Sequence, residues 1–220
     1  MGFVSSEIIQ IKNVWKEAWN NTYAYNLALV LIIGATMLIY VPDYFIYVQN
    51  RPGLLLEDEV LKLLPSIDLS WYIFPIIHMS MILLLINLSY YPEMLMVGLQ
   101  TYLLVTLARL TCIYFVPLEP PLGIVLLTDP VNERVFYGNS VITKDLFFSG
   151  HTATQFLLFM LVRNKILKFL FLGLAIVLAI MILFQHVHYT IDVIAAPVVV
   201  WVCYQIVFRM NKKYLKGLSN

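Results

Sequence analysis

Two short stretches carry residue types that can do chemistry together: Ser149-Gly150-His151-Thr152 and His188-Tyr189-Thr190-Ile191-Asp192. Each stands at the edge of a strongly apolar run. Asp192 follows His188 by four residues, so within one helical turn the carboxylate and the imidazole share a face. A carboxylate on one ring nitrogen fixes the tautomer, stabilises the positive ring and leaves the other nitrogen free to attack. Such a histidine is suited to be a nucleophile on phosphorus. Ser149 is a good N-cap for a helix starting just after it, and Gly150 allows close backbone approach. The free amides and positive dipole end of that helix suit a phosphate. His151, in its first turn, is placed to protonate a leaving alkoxide, which otherwise departs poorly. His151, His188 and Asp192 are thus the candidate catalytic residues, with Ser149, Gly150 and Tyr189 beside the substrate. His78, mid-way along an apolar run, is expected to be a packing or hydrogen-bonding residue. His186, two positions before His188, points elsewhere and is read as structural or supporting.

The elements that position these residues follow from composition. The chain has 220 residues, 61% hydrophobic and 12% charged, where soluble domains carry about 25% charged residues. That much apolar surface needs lipid as its solvent. The expected fold is all-α and integral to the membrane: a six-helix transmembrane bundle behind an N-terminal amphipathic interfacial helix. The six spans are Ala24–Val41, Trp71–Leu88, Met94–Val116, a short Phe148–Val162, Ile166–Val187 and Ile191–Phe208. Residues 1–23 form the amphipathic helix, 24–210 the membrane domain and 211–220 a basic tail. Two loops, about Pro42–Ser70 and Pro117–Phe147, are long enough to cover a site. Cys112 and Cys203 fall inside apolar runs and read as free thiols. The net charge of +1 points to no nucleic-acid partner.

Lys and Arg set the orientation. Lys12, Lys16, Arg163, Lys165, Lys168, Arg209, Lys212, Lys213 and Lys216 collect on one side, against Arg51, Lys62, Arg134 and Lys144 on the other. Both termini are therefore expected in the cytoplasm. The two motifs then share one outer face, periplasmic or lumenal, with a bacterial inner membrane the expected setting. Arg109 lies roughly 12 Å of helix below the outer end of the third span. A charge there is costly unless it faces a polar cavity, so it either binds phosphate or pairs with Glu119 or Asp145. Lys144 and Arg134 are the reserve cations, and Glu119 is placed to hold a hydroxyl acceptor.

Phe148-Ser149-Gly150-His151-Thr152, with Asp145 six residues before the histidine, and His188-Tyr189-Thr190-Ile191-Asp192-Val193 resemble two motifs of the type 2 phosphatidic acid phosphatase superfamily, in its sphingomyelin-synthase-like branch. Arg109-Leu110-Thr111 through Pro117-Leu118-Glu119-Pro120, and Arg51-Pro52-Gly53 through Leu63-Leu64-Pro65, are similar to two looser ones. The resemblance implies six membrane helices, no metal or other cofactor, and transfer or hydrolysis of a lipid phosphate head group. It implies the same roles for His188, Asp192 and His151, and a site role for Asp145. An acid near His151 would also keep that ring protonated. The chain departs from the wider phosphatase pattern: Lys-x6-Arg-Pro is missing, and Met181-Ile182 stands where Ser-Arg would precede the catalytic histidine. Fewer cations suit a phosphodiester better than a phosphomonoester.

Three readings follow. In the first, a phospho-head group passes from a phospholipid donor through a phosphohistidine to a lipid alcohol acceptor. In the second, the same fold is a metal-independent phosphatase or phospholipase-C-like hydrolase, with water as acceptor. In the third, the protein is a non-catalytic lipid carrier or assembly subunit, which accounts for the spans but not for the motifs.

Overall fold

A computed structural model describes residues 2–127 and 142–212. Among these the chain is helical: α1 (Gly2–Ala18), α2 (Asn21–Asn50), α3 (Glu59–Leu63), α4 (Ser70–Leu88), α5 (Pro92–Phe115), α6 (Gly150–Leu161), α7 (Lys165–Phe184) and α8 (Thr190–Met210). Five of them, α2, α4, α5, α7 and α8, are long and apolar enough to cross a membrane, which suggests an integral membrane protein. Large apolar side chains such as Leu31, Ile32, Trp71, Ile166 and Val198 face outward from these helices, as lipid-facing positions do.

The expected fourth span is shorter than its neighbours. α6 has 12 residues and reaches roughly 18 Å at 1.5 Å per residue, well under the roughly 30 Å hydrocarbon core. Its place is central: it packs against α4, α5, α7 and α8, and Ala153, Leu157, Leu158 and Leu161 are buried in the main core. Asn164 sets its lower limit by capping α7, accepting from the Ile166 and Leu167 amides.

Two other boundaries differ from expectation. The N-terminal segment is not one helix through Tyr23. It breaks at Trp19-Asn20, because the Asn20 side chain caps α2 by accepting from the Tyr23 amide at 2.9 Å. Trp15, on α1, donates from Nε1 to the Ser89 carbonyl. The first expected loop also starts later than Pro42, since α2 runs through that proline to Asn50. Proline removes one helical hydrogen bond, but with lipid as solvent the surrounding helix is the best available state for every other backbone group. Val41, Phe45 and Val48 then pack on Ile113 of α5.

The segments at the site end of the bundle are held by hydrogen bonds. Leu54 and Leu118 form a parallel bridge, with Leu54 donating to the Pro117 carbonyl at 2.9 Å and Glu119 to the Leu54 carbonyl at 3.0 Å. Gly53 sits so close that a Cβ would lie 2.6 Å from the Leu118 carbonyl carbon. Gly53→Ala should therefore separate the two strands of this clasp. Thermal unfolding of the purified protein should report a loss of about 1–3 kcal/mol, the usual range for overpacking.

Candidate active site

The two motif segments meet where two helices begin. Ser149 is fully buried and caps α6, its side chain accepting from the Thr152 amide. Its own N–H donates to the Asp192 carbonyl at 3.2 Å, so one backbone hydrogen bond ties the start of α6 to the first turn of α8. On α8, Asp192 Oδ2 accepts from the Tyr189 amide at 3.0 Å and lies 3.4 Å from His188 Nδ1. The carboxylate thus holds the imidazole through Nδ1, which leaves Nε2 as the nitrogen not engaged by Asp192. The rings of His151 and His188 stand 6.4 Å apart, centroid to centroid, inclined at 63°. His151 Nδ1 is sealed from solvent without a hydrogen-bond partner among the described residues.

Arg109 reaches the same place from α5. Nε donates to the Phe148 carbonyl at 2.9 Å, and an Nη approaches Asp145 Oδ1 to 2.6 Å. The guanidinium lies against Gly150, where a Cβ would be 2.9 Å from Cζ. Gly150 is therefore required by the close approach of a cation. Of the alternatives the sequence offered for Arg109, the structure shows the pairing with Asp145.

A cavity of about 240 Å³ opens beside this cluster. His78, Tyr102, Thr106, Arg109, Asp145, His151 and Thr154 supply its polar groups; apolar side chains from α2, α4, α5 and α6 complete it. His188 lies behind His151, with its side chain only 4% exposed. His78, which sequence reasoning placed in the packing, lines this cavity. The signal for it was its rarity, since an ionisable group at mid-span is functional by default.

Glu119 and Tyr189 do not line it. Glu119 accepts from the Gly53 amide at 2.8 Å and pairs with Lys144 at 2.7 Å, a hydrogen bond that holds its carboxyl below the usual range. The Tyr189 hydroxyl donates to the Glu119 carbonyl at 2.9 Å and accepts from the Leu56 amide. Both residues fasten the loops over the motifs. Lys144 also donates to the Arg51 carbonyl, while Arg134 lies outside the described residues. His186, at φ 54°, sets its two ring nitrogens 3.1 and 3.2 Å from the carbonyls of Leu122 and Leu64, a structural role as expected.

Asp58 is the residue that the sequence did not disclose. Oδ1 caps α3 through the Val60 and Leu61 amides and accepts from the Thr190 hydroxyl. Oδ2 accepts from the Thr190 amide at 2.6 Å. A cap before α3 was legible locally; a partner 132 positions away was not. Burial pushes this carboxyl up, but the hydrogen bonds from Thr190, Leu61 and Val60 outweigh it and hold the group below the usual range. A depressed carboxyl contributes stability above its unfolded pKa, near about 4, and loses it as pH falls through the folded value. Asp58→Ala should cost about 1–2 kcal/mol at neutral pH, as lost caps do. Melting curves of wild type and variant should converge on acidification below that range. Gly150→Ala should push Arg109 off the Phe148 carbonyl and lower turnover while the helices persist by circular dichroism.

Residues 144–210 match the family model described as PAP2 superfamily C-terminal. The matched stretch carries Asp145, His151, His188 and Asp192, while Arg109 and Asp58 precede it. No curated protein matches the chain. The family match supports the PAP2 superfamily for this chain and suggests an enzyme of phosphatase or phosphotransferase type acting on phosphate esters.

Proposed function

We propose that this protein is a membrane-embedded lipid phosphotransferase of sphingomyelin-synthase-like type. It moves a phospho-head group from a phospholipid donor to a lipid hydroxyl through a phosphohistidine. The reading rests on one observation above all: the rings of His151 and His188 are 6.4 Å apart, with Asp192 on Nδ1 of His188. In the first step His188 Nε2 attacks phosphorus, the bond to the lipid alkoxide breaks, and His151 delivers a proton to that oxygen. In the second step the acceptor hydroxyl gives its proton to His151 and attacks phosphorus. The P–N bond breaks and its electron pair returns to His188. Asp192 holds the ring's orientation and balances its charge throughout.

The charge count favours a phosphodiester. Among the described residues Arg109 is the cation lining the cavity, and Asp145 already neutralises it at 2.6 Å. Lys144 is tied to Glu119. A dianionic monoester would find little net positive charge here, whereas a monoanionic diester needs less. The apolar cavity next to His151 suits a lipid acceptor over water.

His188→Ala should abolish transfer in membranes given a phospholipid donor and a lipid alcohol. His151→Ala should slow it by about 10²–10⁴-fold, the usual contribution of a general acid. Acid-stopped wild-type reactions should carry the phospho-head group on His188 by mass spectrometry. Full activity in the His188→Ala protein would refute the assignment. Release of the head group to water at the same rate with and without lipid alcohol would favour the hydrolase.

A further inference from the structure

A second cavity, of about 200 Å³, lies at the end of the bundle opposite the two motifs. Glu93 stands in the first turn of α5 and Asn211 caps the end of α8. Glu17, from the last turn of α1, completes the wall with Thr22 and Asn26 of α2. The charges here run against their surroundings. Arg163, Lys165, Arg209 and Lys212 belong to this end of the bundle, yet the lining holds two carboxylates and, among the described residues, no Lys, Arg or His. Neither carboxylate makes an ion pair or a hydrogen bond among the described residues. Glu93 has a local reason to be where it is, since an acid in the first turn meets the positive end of the helix dipole. Glu17 is placed against its dipole, one residue from the end of α1.

Asn211 is an independent sign of a ligand. It is 8% exposed and lines the cavity. Its Nδ2 donates to the Gln100 side-chain oxygen at 2.7 Å and to the Val207 carbonyl at 2.9 Å. A main-chain carbonyl only accepts, so the amide cannot be turned round and Oδ1 is the atom left over. No donor among the described residues reaches it. It is not sealed off within the protein, and the cavity is what it faces. A withdrawn acceptor without a donor costs free energy, so an occupant of this cavity gains by bringing an N–H.

We propose that this cavity is a binding site for a primary ammonium group. Glu17, Glu93 and Asn211 Oδ1 offer acceptors from three side chains, and a primary ammonium carries three N–H donors with one positive charge. A quaternary ammonium has the charge without the donors and would leave Oδ1 unpaired. A metal ion fits less well, because among the described residues no three His, Cys, Asp or Glu side chains gather to hold one. The amine is either free in solution or carried on a lipid head group. The site is remote from the phosphoryl chemistry and does not depend on the transferase reading.

The test uses the full chain in phosphatidylcholine nanodiscs, with empty nanodiscs as background. The probes are butylammonium and tetramethylammonium, isomeric cations of equal charge of which only the first has N–H groups. Saturation-transfer NMR titrations should show butylammonium binding at least about tenfold more tightly, the worth of a charge-assisted hydrogen bond. Glu17→Gln and Glu93→Gln should each weaken butylammonium by a similar factor, and Asn211→Leu should narrow the gap between the isomers. Glu17 is exposed, so its variant tests the site even where Asn211→Leu does not fold. Adding phosphatidylethanolamine to the bilayer separates the two sources. Displacement of butylammonium by that lipid identifies a head group as the carrier, undiminished binding identifies a free amine, and either result supports the site. Equal affinity for the two isomers would overturn the proposal, as would butylammonium binding that is unchanged in both glutamate variants.

Discussion

Asp192 is where the architecture and the chemistry are joined. Its side chain accepts from the Tyr189 amide and holds His188, and its main-chain carbonyl accepts from Ser149 at the head of α6. The residue is fully buried. A buried carboxylate is costly unless donors meet it; here Oδ2 takes the Tyr189 amide and the His188 ring, while Oδ1 is buried without a hydrogen-bond partner among the described residues. The orientation of the His188 ring and the packing of two helix starts are consequently one arrangement. Disturbing either moves the other.

The short length of α6 belongs to the same constraint. A helix of full spanning length would carry its N-terminus, and His151 with it, out to the surface. At 12 residues its first turn stays level with Arg109 and the Phe74 ring, below the loops. The loops must then satisfy their own polar groups close to lipid. They do so on the residues around the motifs: Asp58 on Thr190, Tyr189 on Glu119 and Leu56, His186 on Leu64 and Leu122, Gln185 on Leu69 and Ser70. Almost every residue from 185 to 192 fastens a loop or carries chemistry.

Local pattern made much of this legible. The Ser149 cap and the apolar runs follow from a few consecutive residues, and the structure keeps them. His188 and Asp192 also meet, but across the cap of α8 rather than within a helical turn, since that helix starts at Thr190. The misplaced boundaries at Pro42 and Asn20 came from reading proline as a helix end and from letting one amphipathic pattern run through an Asn cap. The role of Asp58 was hidden for a different reason: its partner is Thr190, and only the folded chain brings them together. His78 was hidden by a prior. That prior treats a lone histidine in an apolar helix as packing, against the rule that makes an ionisable group at mid-span a candidate site residue, and nothing in the sequence showed that α2, α5 and α6 leave space around this one.

The ion pair of Arg109 with Asp145 bears on which phosphate can be accommodated. Both side chains are largely withdrawn from solvent, 16% and 9% exposed, so their mutual attraction is weakly screened. A phosphate arriving beside His151 meets a guanidinium whose charge is already balanced, together with the helix dipole of α6 and its free amides. Those partial charges suit a monoanion held by hydrogen bonds. A dianion would have to compete with Asp145 for Arg109, so the same pair that permits a cation at this depth also occupies it.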